Sequence, residues 1–206
     1  KSDLYLRPDP NTWQIIPSSF EGRKVARLIC DVYLPDGTPF PGDPRKILKD
    51  VLQKAKQMGI TNVCAGIEPE FFLLNKEYAV SDQGGYFDLS PLDPGESCRR
   101  EIVQTLENMS IHIEASHHEV APGQHEISFS YDHALATADR MQTLKWVVKN
   151  IAAKYGFQGT FLPKPIEGIN GSGMHCHVSL FKDGKNTFYD ENDPLGLSDT
   201  ARHFMA

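Results

Sequence analysis

Glu68 and Glu70 are two carboxylates set two residues apart in the otherwise apolar segment Gly66-Ile67-Glu68-Pro69-Glu70-Phe71-Phe72-Leu73-Leu74. On a strand, alternate residues share a face, so both would project the same way. Carboxylates among apolar neighbours are expensive to desolvate unpaired, and like charges on one face repel unless something positive lies near them. A divalent cation meets both demands. Two exposed carboxylates near a strand end are the plainer alternative.

A second segment, Glu114-Ala115-Ser116-His117-His118-Glu119-Val120-Ala121-Pro122-Gly123-Gln124-His125-Glu126, carries a turn signal at Pro122-Gly123. Glu119 and Glu126 would then lie on the two arms of a bend and converge, although either alone also reads as a solvated loop carboxylate. His117 and His118, adjacent on a strand, would point to opposite faces. In the third segment, Asn170-Gly171-Ser172-Gly173-Met174-His175-Cys176-His177-Val178-Ser179, His175, His177 and Ser179 share one face of a strand. The glycines before them let backbone approach a ligand closely.

Four carboxylates and one or two imidazoles make a donor set suited to hard cations such as Mg²⁺ or Mn²⁺. The H-E-x-x-H and C-x-x-C spacings of common zinc sites are absent. Two cations beside a glycine loop fit phosphoryl transfer, where they neutralise charge on transferring and leaving oxygens. Neither G-x-x-x-x-G-K-[ST] nor G-x-G-x-x-G occurs, so ATP would bind outside those two folds.

The elements that position these residues alternate. Val25 to Tyr33 reads as a strand ending at Pro35-Asp36-Gly37. Asp43-Pro44 supplies an N-cap and a first-turn proline, followed by Ile47, Leu48, Val51, Leu52, Ala55 and Met58 at helical spacing and a stop at Gly59. Strands are predicted over Thr61 to Leu74, Ile111 to Ala115, Gln124 to Tyr131, Phe157 to Leu162 and Met174 to Phe181. Helices are predicted from Pro94 to Met109 and from Asp132 to Tyr155, the latter closed by Gly156. Asp183-Gly184-Lys185-Asn186 reads as a hairpin turn. The pattern indicates an α/β or α+β layout around one extended sheet, without a clean interdomain linker.

The 206 residues carry 21 Lys plus Arg against 27 Asp plus Glu, a formal charge of −6, with 40% hydrophobic residues. That balance disfavours a nucleic-acid binder held by bulk electrostatics, and no apolar run approaches the ~18–20 residues needed to span a bilayer. Cys30, Cys64, Cys98 and Cys176 are widely spaced, as expected of reduced thiols in a cytoplasmic protein. The start at Lys1-Ser2-Asp3 and the helix-like run from Leu197 to Ala206 suggest an internal piece of a longer chain.

The three segments, in this order and spacing, resemble the metal and nucleotide signatures of class I glutamine synthetase. Ser2-Asp3-Leu4-Tyr5 and Asp9 to Ile16 resemble the segment that leaves the N-terminal β-grasp domain of that family. The resemblance implies an α+β fold with an antiparallel-rich curved sheet flanked by helices. Residues 1–18 would be the exit segment, and 19–206 a C-terminally incomplete catalytic domain.

It also implies roles. Glu70, Glu119 and Glu126 match ligands of one divalent ion, and Glu68 and His175 match ligands of a second that holds the ATP phosphates. Asn170 and Gly171 match the glutamate-binding loop. Glu114, Tyr131, His177 and Ser179 match nucleotide contacts, and Tyr86 lines the ammonium pocket with Glu119. The implied activity is ATP-dependent ligation of ammonia to L-glutamate through γ-glutamyl phosphate, by a cytoplasmic homo-dodecamer using Mg²⁺ or Mn²⁺. A family member using a larger amine such as a polyamine would share these ligands, and a non-catalytic relative would be expected to lose them. The family's remaining metal ligand, phosphate-clamping arginines and N-terminal aspartate match nothing in these residues, so the piece alone is expected to be inactive.

Overall fold

The computed structural model describes residues 3–17 and 25–206. Its centre is a long strand, β5 (Asn62–Leu74), which carries the first segment and pairs directly with strands from the other two. One edge of β5 pairs with β9 (Met174–Lys182), which continues through a hairpin to β10 (Lys185–Asn186). The other edge pairs with β7 (Gln124–His133), which in turn pairs with β6 (Ile113–His118). Short β8 (Gln158–Thr160) pairs with the C-terminal end of β5, beyond the last β9 partner. All these pairings are antiparallel. Asp183 and Gly184 have φ of 49° and 78°, the two positive values that a tight two-residue hairpin requires.

Alternation along β5 separates two environments. Ile67, Phe71 and Leu73 point into a core shared with Ile127 and Phe129 of β7. Two helices cover that face: α2 (Glu96–Asn108) through Cys98, Ile102 and Leu106, and α3 (Ala134–Lys154) through Leu144, Val147, Val148 and Ile151. Each such side chain removed from water contributes about 1.5–3 kcal/mol. Burial also pushes the Cys98 thiol up to about 12, out of the reactive range. On the opposite face, Phe72 and Leu74 are closed over by Ala121, Ile166 and Ile169. The apolar run 71–74 is therefore buried on both sides, and the carboxylates lie where the second covering stops.

Helix α1 (Pro44–Gln57) begins as its sequence dictates. Asp43 accepts from the Arg45 amide (3.0 Å) and the Val32 amide (3.1 Å), tying the helix start to β4 (Cys30–Tyr33). Arg45 then gathers Asp9, Asp31 and Asp139 at 2.6–3.0 Å. At the other end of the chain, Ser198 caps α4 (Asp199–Met205) by accepting from the Ala201 amide at 3.1 Å.

Several sequence expectations are corrected. Val25 to Tyr33 is not one strand but β3 (Val25–Arg27) and β4, because the backbone at Ile29 is diverted. Its carbonyl accepts from Asp9 N (2.9 Å) and its amide donates to Thr12 Oγ1 (2.7 Å). β4 accordingly pairs with β1 (Tyr5–Pro8) and β3 with β2 (Gln14–Ile16), so the described residues form three sheets rather than one. α2 starts at Glu96, after Gly95. α3 starts at Ala134 because β7 stays paired with β5 through His133. The strand placed at Ile111 to Ala115 begins and ends later, at Ile113–His118. The boundary expected between residues 18 and 19 lies outside the described residues.

Candidate functional site

The face of β5 opposite the helices forms the floor of an open cleft of about 510 Å³, lined by Glu68, Glu70, Tyr86, Glu114, His117, Glu119, Glu126, Ser128 and His175. β5 contributes Glu68 and Glu70, two residues apart on one face as the sequence requires. The ladder places Glu70 directly opposite Glu126 of β7, and Glu68 directly opposite His175 of β9. The bend at Pro122-Gly123 does bring its two arms together: the Glu119 amide donates to the Gln124 carbonyl at 2.7 Å, and His117 faces Glu126. Gly123 sits at φ +71°, a conformation that glycine adopts without strain.

The carboxylates are held individually. Glu70 Oε2 accepts from Gln124 Nε2 (2.6 Å) and from the Gly173 amide (2.9 Å). Glu126 accepts from Ser128 Oγ at 2.7 Å. Glu119 lies 3.0 Å from His117 Nε2 and accepts from the Val120 amide at 2.8 Å. Glu68 takes His175 Nδ1 (3.1 Å) and His177 Nε2 (2.9 Å), one on each oxygen. Burial alone would raise the Glu68 pKa, but the two imidazoles outweigh it and hold the carboxyl below its ordinary range.

His117, Glu119 and Glu126 each bring a ligand atom to within 4.8 Å of the others. With Glu70 opposite Glu126, the group is rich in oxygen donors and has no Lys or Arg among the residues lining it. This is the donor chemistry of a hard divalent cation, and the residues present fit one.

The other predicted residues extend this face away from the carboxylates. Along β9, His177 and Ser179 stand opposite Gly66 and Cys64. A Cβ built on Gly66 would lie 3.3 Å from the Tyr131 Cβ and 3.9 Å from the His177 Cβ, so these two side chains flank a strip of bare backbone. Simple alternation would put Tyr131 on the core side with Phe129. A bulge between the Ala65 and Ile67 pairings turns it over instead. A second bulge, between Ile113 and Ala115, sits at Glu114. The Gly171 carbonyl accepts from the same Gln124 amide that holds Glu70, at 2.9 Å, and a Cβ at Gly171 would overlap the Pro163 carbonyl. Asn170 is exposed beside it.

Three contributors escaped the sequence reading, and a fourth, His117, was named there without a role. His117 joins Glu119 and Glu126, and its spacing of two from Glu119 was the available signal. Gln124 is buried and bridges Glu70 to Gly171. Ser128 supports Glu126. Asp82 is buried behind the cleft; its bond to the Gly84 amide is a local turn that Asp82-x-Gly84 could have signalled, but its partners His118 and Gly123 are 36 and 41 residues away.

Behind the cleft, Asp82, Asp93, His118 and His125 also approach within 4.8 Å of one another. There the positive charge is supplied from within. Arg99 pairs with Asp93 and donates to His125 Nδ1 at 2.9 Å, which leaves the ring proton on Nε2 rather than a lone pair for a cation. Burial, then the Arg99 charge, drive the His125 pKa well below its ordinary value. Burial would lower the His118 pKa, but its bond to Asp82 prevails and raises it. Burial would raise that of Asp82, but His118 and two backbone amides bring it to about 2.

Comparison with known proteins agrees with the architecture. Residues 41–206 match the family described as glutamine synthetase, catalytic domain. The chain is 57% identical over 215 positions to the glutamine synthetase of Thermus thermophilus and 55% identical over 212 to that of Staphylococcus aureus. In both cases all of this chain aligns with 48% of the relative, so it spans about half their length. Among solved structures, a Plasmodium falciparum glutamine synthetase superposes with a TM-score of 0.89 at 30% identity, over 99% of this chain and 46% of that one. A GmaS/ADP complex gives 0.89 at 34% identity, over 98% and 47%. With the antiparallel sheet, the helices on one face and the carboxylate-lined cleft on the other, this chain belongs to the glutamine synthetase catalytic-domain family.

Proposed function

We propose that the protein ligates ammonia to L-glutamate at the expense of ATP, giving L-glutamine through γ-glutamyl phosphate. The observation that carries this reading is the pairing of Glu70 with Glu126 across the β5–β7 ladder. Two carboxylates face each other where opposed like charges are unfavourable without a cation, and the family match supplies the reaction class. Glu70, Glu119 and Glu126 would hold one Mg²⁺ or Mn²⁺ and Glu68 and His175 another; such ions neutralise phosphate charge in phosphoryl transfer.

In the first step a γ-carboxylate oxygen of glutamate bonds to the γ-phosphorus of ATP, and ADP departs with the bridging oxygen. In the second, the ammonia lone pair attacks the γ-carbon, and inorganic phosphate leaves with the former carboxylate oxygen. The Asn170–Gly171 loop orients glutamate beside Glu70, which brings the attacking oxygen to the phosphoryl side of the cleft. Tyr86 and Glu119 bind the incoming ammonium, and Glu119 is positioned to hold a proton released from it. Glu114, Tyr131, His177 and Ser179 bind nucleotide along the Gly66 strip. The working form is a cytoplasmic dodecamer, with residues 1–18 leaving an N-terminal domain and 19–206 within the catalytic one. No helix among the described residues is long and apolar enough to cross a membrane.

The test is phosphate release by the full-length protein with glutamate labelled with ¹⁸O in the γ-carboxylate. Release that requires glutamate, ammonia and Mg²⁺ or Mn²⁺, with label appearing in phosphate, is the expected result. Release with a polyamine and not ammonia would overturn the acceptor assignment, and unlabelled phosphate would overturn the acyl phosphate route.

A further inference from the structure

We infer that Asp82 is a positioning residue that locks the Glu119 arm and the Tyr86 loop of the cleft into one unit. The inference rests on reading Glu119 as a cation ligand. A single carboxylate oxygen, Asp82 Oδ1, accepts from the Gly84 amide (3.0 Å), the Gly123 amide (2.7 Å) and His118 Nε2 (3.2 Å). These three donors belong to different parts of the site. Gly84 leads into Tyr86, Gly123 is the apex of the bend between Glu119 and Glu126, and His118 lies between His117 and Glu119.

His118 passes the constraint on. Its other ring nitrogen, Nδ1, donates to the Glu119 carbonyl at 2.7 Å, so the ring spans from Asp82 to the backbone of the proposed ligand. The His118 carbonyl accepts from the Phe87 amide at 3.1 Å, which ties the far side of the Tyr86 loop to the same strand. The Tyr86 ring then rests edge-on against His117, with centroids 5.4 Å apart. Packing leaves little slack: a Cβ on Gly84 would lie 2.8 Å from His118 Nε2, and His118 is fully buried. Asp82 thus does for Glu119 what partners outside the ligand set do at metal sites generally, fixing the orientation of the ligand without touching the ion.

The experiment compares Asp82→Ala, Asp82→Asn and Glu119→Gln in the full-length protein, by Mn²⁺ calorimetry and by amide hydrogen exchange of the metal-free form. Asp82→Ala is expected to weaken Mn²⁺ binding roughly 10-fold or more, the usual range for such partners. It is also expected to speed exchange in segments 83–88 and 119–124 together. Asp82→Asn, whose carbonyl oxygen can take the same amides, is expected to restore most of the affinity. If Asp82→Ala binds Mn²⁺ like the wild type while Glu119→Gln does not, the inference is overturned and the metal reading stands. If Glu119→Gln also binds normally, the metal reading fails, and exchange judges the link by itself: unchanged protection of both segments in Asp82→Ala overturns it. Should Asp82→Ala not fold, Gly84→Ala, which pushes His118 away from an intact Asp82, is read against the same outcomes.

Discussion

Glu70 on β5 and Glu126 on β7 are direct cross-strand partners in the antiparallel ladder. Like charges so placed destabilise a sheet by about 0.2–1 kcal/mol, and no Lys or Arg lines the cleft to offset them. Both carboxylates are nonetheless gripped, Glu70 by Gln124 and the Gly173 amide and Glu126 by Ser128. The arrangement spends stability to keep two anions aimed at one place.

Glu70→Gln should therefore act in opposite directions on fold and ligand. The amide oxygen can accept the same two hydrogen bonds, and the repulsion disappears. The metal-free thermal midpoint is expected to rise by roughly 2 °C, while Mn²⁺ affinity falls at least ~10-fold for want of the charge. Scanning calorimetry and titration calorimetry read the two effects. Unchanged Mn²⁺ affinity would remove Glu70 from the ligand set.

The proposed nucleotide strip gives a second test. His177 and Tyr131 flank Gly66, on the side of Glu68 away from Glu70. His177→Ala should raise KM for ATP several-fold more than KM for glutamate. Gly66→Ala, whose new methyl meets Tyr131 Cβ at 3.3 Å, should do the same with folding intact. Equal changes in both KM values would mean that the strand, not a nucleotide contact, had been damaged.

Arg45 predicts a pH dependence. Its side chain is 8% exposed and pairs with Asp9, Asp31 and Asp139. The Arg45 hydrogen bond is the main cause of the low Asp9 pKa. For Asp31, burial pushes upward and is outweighed by Lys49 and Arg45. Folded-state values below the ordinary 3.8 mean that this stabilisation is complete above that pH and is lost as pH falls through the folded values. Arg45→Met should cost about 3 kcal/mol at pH 7, and the difference from wild type should shrink below pH 4. Denaturant unfolding at pH 7 and pH 3 measures it; an equal loss at both would mean that packing, not charge, is what Arg45 supplies.

What could be read from the sequence was whatever depends on local period or on one short turn. Asp43-Pro44 announced α1, Pro122-Gly123 announced the convergence of Glu119 with Glu126, and spacing by two placed His175 beside His177. What could not be read depends on register. The bulges at Tyr131 and Glu114 break the alternation on which such a reading relies, and the diversion of Ile29 to Asp9 and Thr12 splits a strand whose composition is uniform. Asp82 shows the limit most plainly, because two of its three donors, His118 and Gly123, reach it only in the folded chain.

Gln124 joins the proposed cation and glutamate sites and yields the last prediction. Its Nε2 donates both to Glu70 Oε2 and to the Gly171 carbonyl, while its Oε1 accepts from the Ala121 amide at 3.2 Å within the bend. Gln124 is 1% exposed, so a replacement cannot recruit water freely. Gln124→Glu keeps the shape but sets an acceptor against two acceptors and adds a charge beside Glu70. Burying that charge unpaired should cost about 3 kcal/mol or more of stability at pH 7 without metal, relieved in part as the new carboxyl is protonated at lower pH. Gln124→Met leaves the Gly171 carbonyl and Glu70 each short of one donor and the Ala121 amide short of an acceptor, without adding a charge, and should cost about 1–3 kcal/mol. The two variants should also differ in ligand binding. Gln124→Met is expected to raise KM for glutamate and weaken Mn²⁺ binding together, because one amide serves both sides. A variant that altered Mn²⁺ affinity but left KM for glutamate unchanged would show that the Gly171 loop keeps its place without Gln124, and the proposed coupling between the two sites would be withdrawn.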